Sequence, residues 1–132
     1  MDLKKFLETN KQLNIRSFGE FMRQRRLEIG YSVRELAALL KVTPAYVSDI
    51  EKGNRHAPKT LLNEIIKILE ISKEDEKDFI DLAYLSHETC APDLILYLLA
   101  TKEARQAVRY LIENNISGEE FLEMVESYNK NL

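Results

Sequence analysis

Lys52, Asn54, Arg55, His56 and Lys59 fall within eight consecutive residues, KGNRHAPK, that contain no carboxylate. Cations and polar donors so closely set suit the grip of a polyanion such as a phosphate backbone. Exposed lysines and arginines are usually just solvated, so the cluster gains meaning only from what flanks it. The chain is poorly equipped for catalysis. His56 and His87 lie far apart, and there is no HExxH, no Gly-rich phosphate loop and no nucleophile elbow. His87 and Cys90, three residues apart, offer two metal ligands with Glu88 or Asp93 nearby, yet two ligands do not make a site. Cys90 reads more simply as a buried small hydrophobe or a boundary residue. Neither a metal nor a cofactor is expected, and the chain does not read as an enzyme.

The net charge of −3 argues, taken alone, against nucleic acid, but its distribution argues the other way. Residues 16–59 carry nine Lys/Arg against five Asp/Glu, whereas residues 60–132 carry seven against fifteen. A basic front and an acidic back fit a protein that meets a polyanion with one end only. With 45% apolar and 31% charged residues, four Gly and three Pro, the 132 residues describe a folded, helix-rich chain without repeats or low-complexity stretches. No apolar run approaches the roughly 18–20 residues of a membrane span, and MDLKKFLETNKQLN lacks a signal-peptide core. A lone cysteine cannot close an internal disulfide, so a reducing, cytoplasmic setting is expected.

The element that must position the cations is the stretch just before them, SVRELAALLKVTPAYVSDIEKG at 32–53. Ser32 with Glu35 three residues on makes a capping box, and Leu36, Ala37 and Leu40 share one helical face. Thr43 is a second N-cap, with Pro44 at the first helical position, where its missing N–H costs nothing. Val47 and Ile50 form the buried stripe of the second helix, and Gly53 stops it. A small Ala37 opposite Val47 lets the two helices cross closely, the geometry of a helix-turn-helix.

These residues resemble the helix-turn-helix of the Xre/Cro-type bacterial and phage repressors. The likeness rests on the ELAxLLxVTPxYVSxIEKG pattern, the RxRRLEIGYS lead-in at 23–32 and Pro58, and covers about residues 16–70. It implies an all-α, lambda-repressor-like bundle of about five helices that binds double-stranded DNA through helix 44–51 in the major groove. By the resemblance, Ser32 and Arg34 match phosphate-contacting positions, and Lys52, Asn54, Arg55, His56 and Lys59 would grip the backbone beyond the recognition helix. Base readout would fall on Thr43, Pro44, Ala45, Tyr46, Ser48 and Asp49. Pro44 and Ala45 can touch only thymine methyls, Ser48 gives single hydrogen bonds, and Asp49 can accept from a cytosine amino group. Tyr46 divides between core and phosphate contact. Direct readout should therefore be modest, with groove shape and dimer spacing contributing. Arg26 and Glu51 match a family pair that bridges two helices internally. Two positions depart from the family: Lys41 stands where Gly is common at positive φ, at a cost on the order of 1 kcal/mol, and Val33 stands where Gln is favoured.

Further helices are expected at 18–29, 59–69, 73–85, 92–100, 102–114 and 118–129, with a short one possible within 2–13. In the first, Phe18, Phe21, Met22 and Leu27 should face the core and Gly30 should close the helix. Ser72, Thr101 and Ser117 are the expected caps of the helices at 73–85, 102–114 and 118–129. The chain thus divides into a lead-in at 1–15, a DNA-binding domain at 16–86 and a C-terminal helical region at 92–132. That last piece is apolar-rich but short, so it should dock on something. A second copy is the first choice, making a dimeric repressor. The alternative is an antitoxin whose acidic tail holds a small basic toxin while the same helix-turn-helix represses its own operon.

Overall fold

A computed structural model describes residues 16–131. The short helix expected within 2–13 lies outside the described residues. Among them there are eight α-helices and no strand: α1 Phe18–Ile29, α2 Val33–Leu40, α3 Pro44–Glu51, α4 Leu62–Ile68, α5 Lys73–Leu85, α6 Pro92–Ala100, α7 Lys102–Glu113 and α8 Gly118–Lys130. A 3₁₀ turn at Lys59–Leu61 leads into α4, so the single helix expected from 59 is divided. No helix among them is long and apolar enough to cross a membrane. The chain separates between Ala91 and Pro92 into two compact units.

In the first unit the helix starts follow from side-chain caps. Ser17, Ser32 and Thr43 accept from the backbone N–H three residues on, and the first two are reciprocated by Glu20 and Glu35. Each such cap contributes on the order of 1 kcal/mol. Phe79 of α5 anchors the core. It is fully buried, 4.5 Å from the ring of Phe18 and 5.0 Å from that of Phe21. Met22, Leu36, Val47, Ile65 and Leu69 close around it. Leu27 departs from expectation: it is exposed, and Arg26 is buried in its place. One helical turn separates Arg26 from Met22, whereas Leu27 points half a turn away from Phe18.

Lys41 ends α2 at φ 59°, and its N–H and that of Val42 return to the carbonyl of Ala37. The left-handed backbone is thus required by the turn that aims α3. Lys41→Gly is expected to raise stability by up to about 1 kcal/mol, the steric penalty exceeding the entropy that glycine adds to the unfolded chain. Urea titration checks this as a higher midpoint at unchanged slope.

The second unit holds α6, α7 and α8. Arg105 donates from one nitrogen to the carbonyls of Leu98 and Leu99, at 2.6 and 2.7 Å, closing the C-terminal end of α6. Ser117 and Glu120 form the capping box of α8. Thr101 precedes α7 but its hydroxyl makes no capping bond, contrary to expectation. No residue of α6, α7 or α8 is buried. Leu94, Tyr97, Ile112, Phe121, Met124 and Tyr128 all face outward.

Candidate nucleic-acid interface

Helix α3 is held by one face and open on the other. Val47, Ile50 and Glu51 are buried, Thr43, Pro44 and Ala45 are exposed, and Tyr46, Ser48 and Asp49 are half-buried. The N-terminal end of the helix therefore projects, with the residues expected to read bases arrayed from it. Two contacts fix its far end. The Arg26 guanidinium meets Glu51 side on, Nε to Oε2 at 2.8 Å and Nη2 to Oε1 at 2.9 Å, while Nη1 donates to the Tyr31 carbonyl at 2.8 Å. The Glu51 hydrogen bond raises the Arg26 pKa above its usual value, against the pull of burial. The second contact is Gly19 of α1, which lies against the carbonyls of Ile50 and Glu51. Nothing local in the sequence singles out that glycine.

Beyond Glu51 the backbone turns at Gly53 (φ 78°) and Asn54 N–H closes onto the Asp49 carbonyl at 2.8 Å. Lys52, Asn54, Arg55, His56 and Lys59 are all exposed on the loop that follows. Arg55 lies 4.6 Å over the ring of Tyr46, and Lys59 lies 4.9 Å from the ring centre of Tyr84 on α5. Arg34 is exposed at the start of α2, whereas the Ser32 hydroxyl is spent on its cap.

Electrostatics favour this side. Arg25 and Arg26 are taken up by Glu28 and Glu51. The other seven cations of residues 16–59 are exposed, and of the remaining carboxylates Glu20 and Glu35 bond their own helix starts. Asp49 alone stands uncommitted near the end of α3.

The histidines lie together although 31 positions separate them. The rings of His56 and His87 stack with centroids 4.9 Å apart. His56 Nδ1 donates to the Ser86 carbonyl at 2.6 Å, and His87 Nε2 donates to the Ala57 carbonyl at 2.7 Å. His87 is therefore turned toward the loop, not toward a metal with Cys90. Cys90 is exposed, which removes the buried-hydrophobe alternative. Among the described residues no group of three His, Cys, Asp or Glu is placed to hold an ion.

Residues 22–75 match the family model described as Helix-turn-helix. No curated protein and no solved structure matches the chain.

Proposed function

We propose that this chain, whose residues 22–75 match the family model described as Helix-turn-helix, is a dimeric, cytoplasmic, non-enzymatic repressor of the Xre/lambda-repressor-like kind that inserts α3 into the major groove. The observation that carries this is the projecting start of α3 beside a loop of exposed cations. In this reading Thr43, Pro44, Ala45, Tyr46, Ser48 and Asp49 face base edges. Arg34, Lys52, Asn54, Arg55 and Lys59 face phosphates, together with the N-terminal end of α2 at Ser32.

Anisotropy titrations on labelled duplexes test it. Arg55→Ala and Lys59→Ala should each weaken binding to every sequence and lower the salt slope by about one. Ser48→Ala or Asp49→Ala should instead change sequence preference, by about 1–3 kcal/mol at the affected base pair. No affinity for any duplex at low salt would reject the proposal.

The second unit is proposed to join two copies. Three short helices with no fully buried residue are marginal by themselves, and the charges on two of them are complementary. Helix α7 carries Lys102, Arg105 and Arg109 against two Glu, while α8 carries four Glu against Lys130. In a two-fold pair, α8 of each copy meets α7 of the other. The acidic α8 also favours the antitoxin reading, with a small basic toxin on the same face. Sedimentation of the purified chain separates the two: a dimer alone supports self-association, and a monomer that co-purifies with a basic partner supports the antitoxin.

A further inference from the structure

We infer that Ser86 and His87, at the end of α5 and outside residues 22–75, are positioning residues for DNA binding: they set the backbone of the phosphate-facing loop at His56 and Ala57. The inference rests on the reading of that loop as a phosphate grip.

Between the end of α3 and the turn at Lys59 the loop has no regular structure, and residues 52–56 are exposed. Its anchor is Ala57, which is 2% exposed. A buried backbone must find partners for both its polar groups. Ala57 finds both on adjacent residues of one neighbour. Its N–H donates to Ser86 Oγ at 3.1 Å, and its carbonyl accepts from His87 Nε2. Ser86 Oγ donates in turn to the Ala83 carbonyl at 2.6 Å, which commits the hydroxyl proton and leaves a lone pair for Ala57. The arrangement is reciprocal, because the side chain of His56 bonds the backbone of Ser86 while the side chain of His87 bonds the backbone of Ala57.

Carbonyls only accept, so each imidazole must carry a proton on the nitrogen that meets one. His56 is thereby protonated on Nδ1, and in its neutral form the Nε2 atom has no proton to give a phosphate. His56 is therefore a part of the brace through Nδ1, and only its Nε2 is left free of that contact. Arg55 over Tyr46 and Lys59 over Tyr84 complete the loop, one cation leaning on α3 and the other on α5. A loop ordered beforehand avoids the entropy that a mobile one loses on binding.

The test uses the full chain, a labelled mixed-sequence duplex at low salt, and amide hydrogen exchange of residues 54–59 in the free protein. His87→Leu removes the donor and the ring. It should weaken duplex binding roughly five- to tenfold, as the loss of a hydrogen bond and a ring contact implies, and speed exchange in the loop. The salt slope should stay as it was, since no cation is lost. His87→Gln restores an amide donor at the Nε2 position and should bind within about threefold of the parent, with loop protection retained. Ser86→Ala, a smaller change, should reproduce the His87→Leu effect in weaker form if His87→Leu lowers the unfolding midpoint. Unchanged loop exchange in His87→Leu, or Gln as damaging as Leu at equal global stability, would overturn the inference. Should the parent bind no duplex, the phosphate-grip reading falls and with it the functional half of this inference; the exchange data still decide the brace.

Discussion

Glu51→Ala should cost about 3–5 kcal/mol, the penalty for stranding one member of a buried ion pair. Both partners are within 9% exposure, and the pair is a two-point contact at 2.8 and 2.9 Å. Arg26 has no means of becoming neutral, since guanidinium stays charged and this one is held more firmly protonated than usual. A raised folded-state pKa gives a contribution that is full below the ordinary guanidinium value and is lost only as pH rises through the raised one. Alkaline conditions in the ordinary range therefore offer no relief. The Tyr31 carbonyl would remain as a partner for Nη1, leaving Nε and Nη2 facing the core. For a unit of this size, about 4–8 °C per kcal/mol implies a fall in Tm of roughly 15–30 °C. Differential scanning calorimetry measures it. Replacing both partners, as in Arg26→Met with Glu51→Leu, should recover most of the loss, because no uncompensated charge remains. A single variant that melts within a few degrees of the parent would mean that water reaches the pair.

The same pair shows which parts of this fold were legible and which were not. Helix starts were, because a cap is decided within four residues: Ser17 with Glu20, Ser32 with Glu35 and Thr43 before Pro44 need no distant partner. Thr101 shows the limit even there, since a capping residue whose hydroxyl makes no capping bond leaves the same trace in the sequence. Leu27 is exposed where periodicity placed it in the core, and Arg26 is buried because Glu51, 25 residues away, makes a charged position on α1 worth burying. The resemblance to a family carried that pairing; periodicity pointed to the leucine. His87 invited a metal reading through its nearness to Cys90, whereas its actual partner is Ala57, brought there by the packing of α5. The loop cations could be named from composition alone, but what holds their backbone could not.

Gly19→Ala, the least conspicuous substitution in the chain, is expected to be the second most damaging. Gly19 is buried near the start of α1, and a Cβ there would collide with the carbonyl oxygen of Ile50 and stand 2.7 Å from that of Glu51. These are backbone atoms, so no rotamer can yield, and α3 itself must move away from α1. That motion opens the core at Ile50 and stretches Glu51 from Arg26, so the penalty should reach or exceed the usual 1–3 kcal/mol of overpacking. Helix propensity acts oppositely, favouring Ala over Gly by up to about 1 kcal/mol. The sign of the measured change therefore decides which effect wins. Gly118 supplies the control, for it opens α8 with nothing within 4 Å of a built Cβ, and Gly118→Ala should be neutral or stabilising by roughly 0.4–1 kcal/mol. Because α3 is the proposed reading element, Gly19→Ala should also weaken duplex binding at temperatures where it remains folded, on the order of tenfold for 1.4 kcal/mol of misalignment. Paired denaturation curves and anisotropy titrations of the two glycine variants supply the measurement. Equal behaviour at the two positions would show that α1 and α3 do not make their close approach at Gly19.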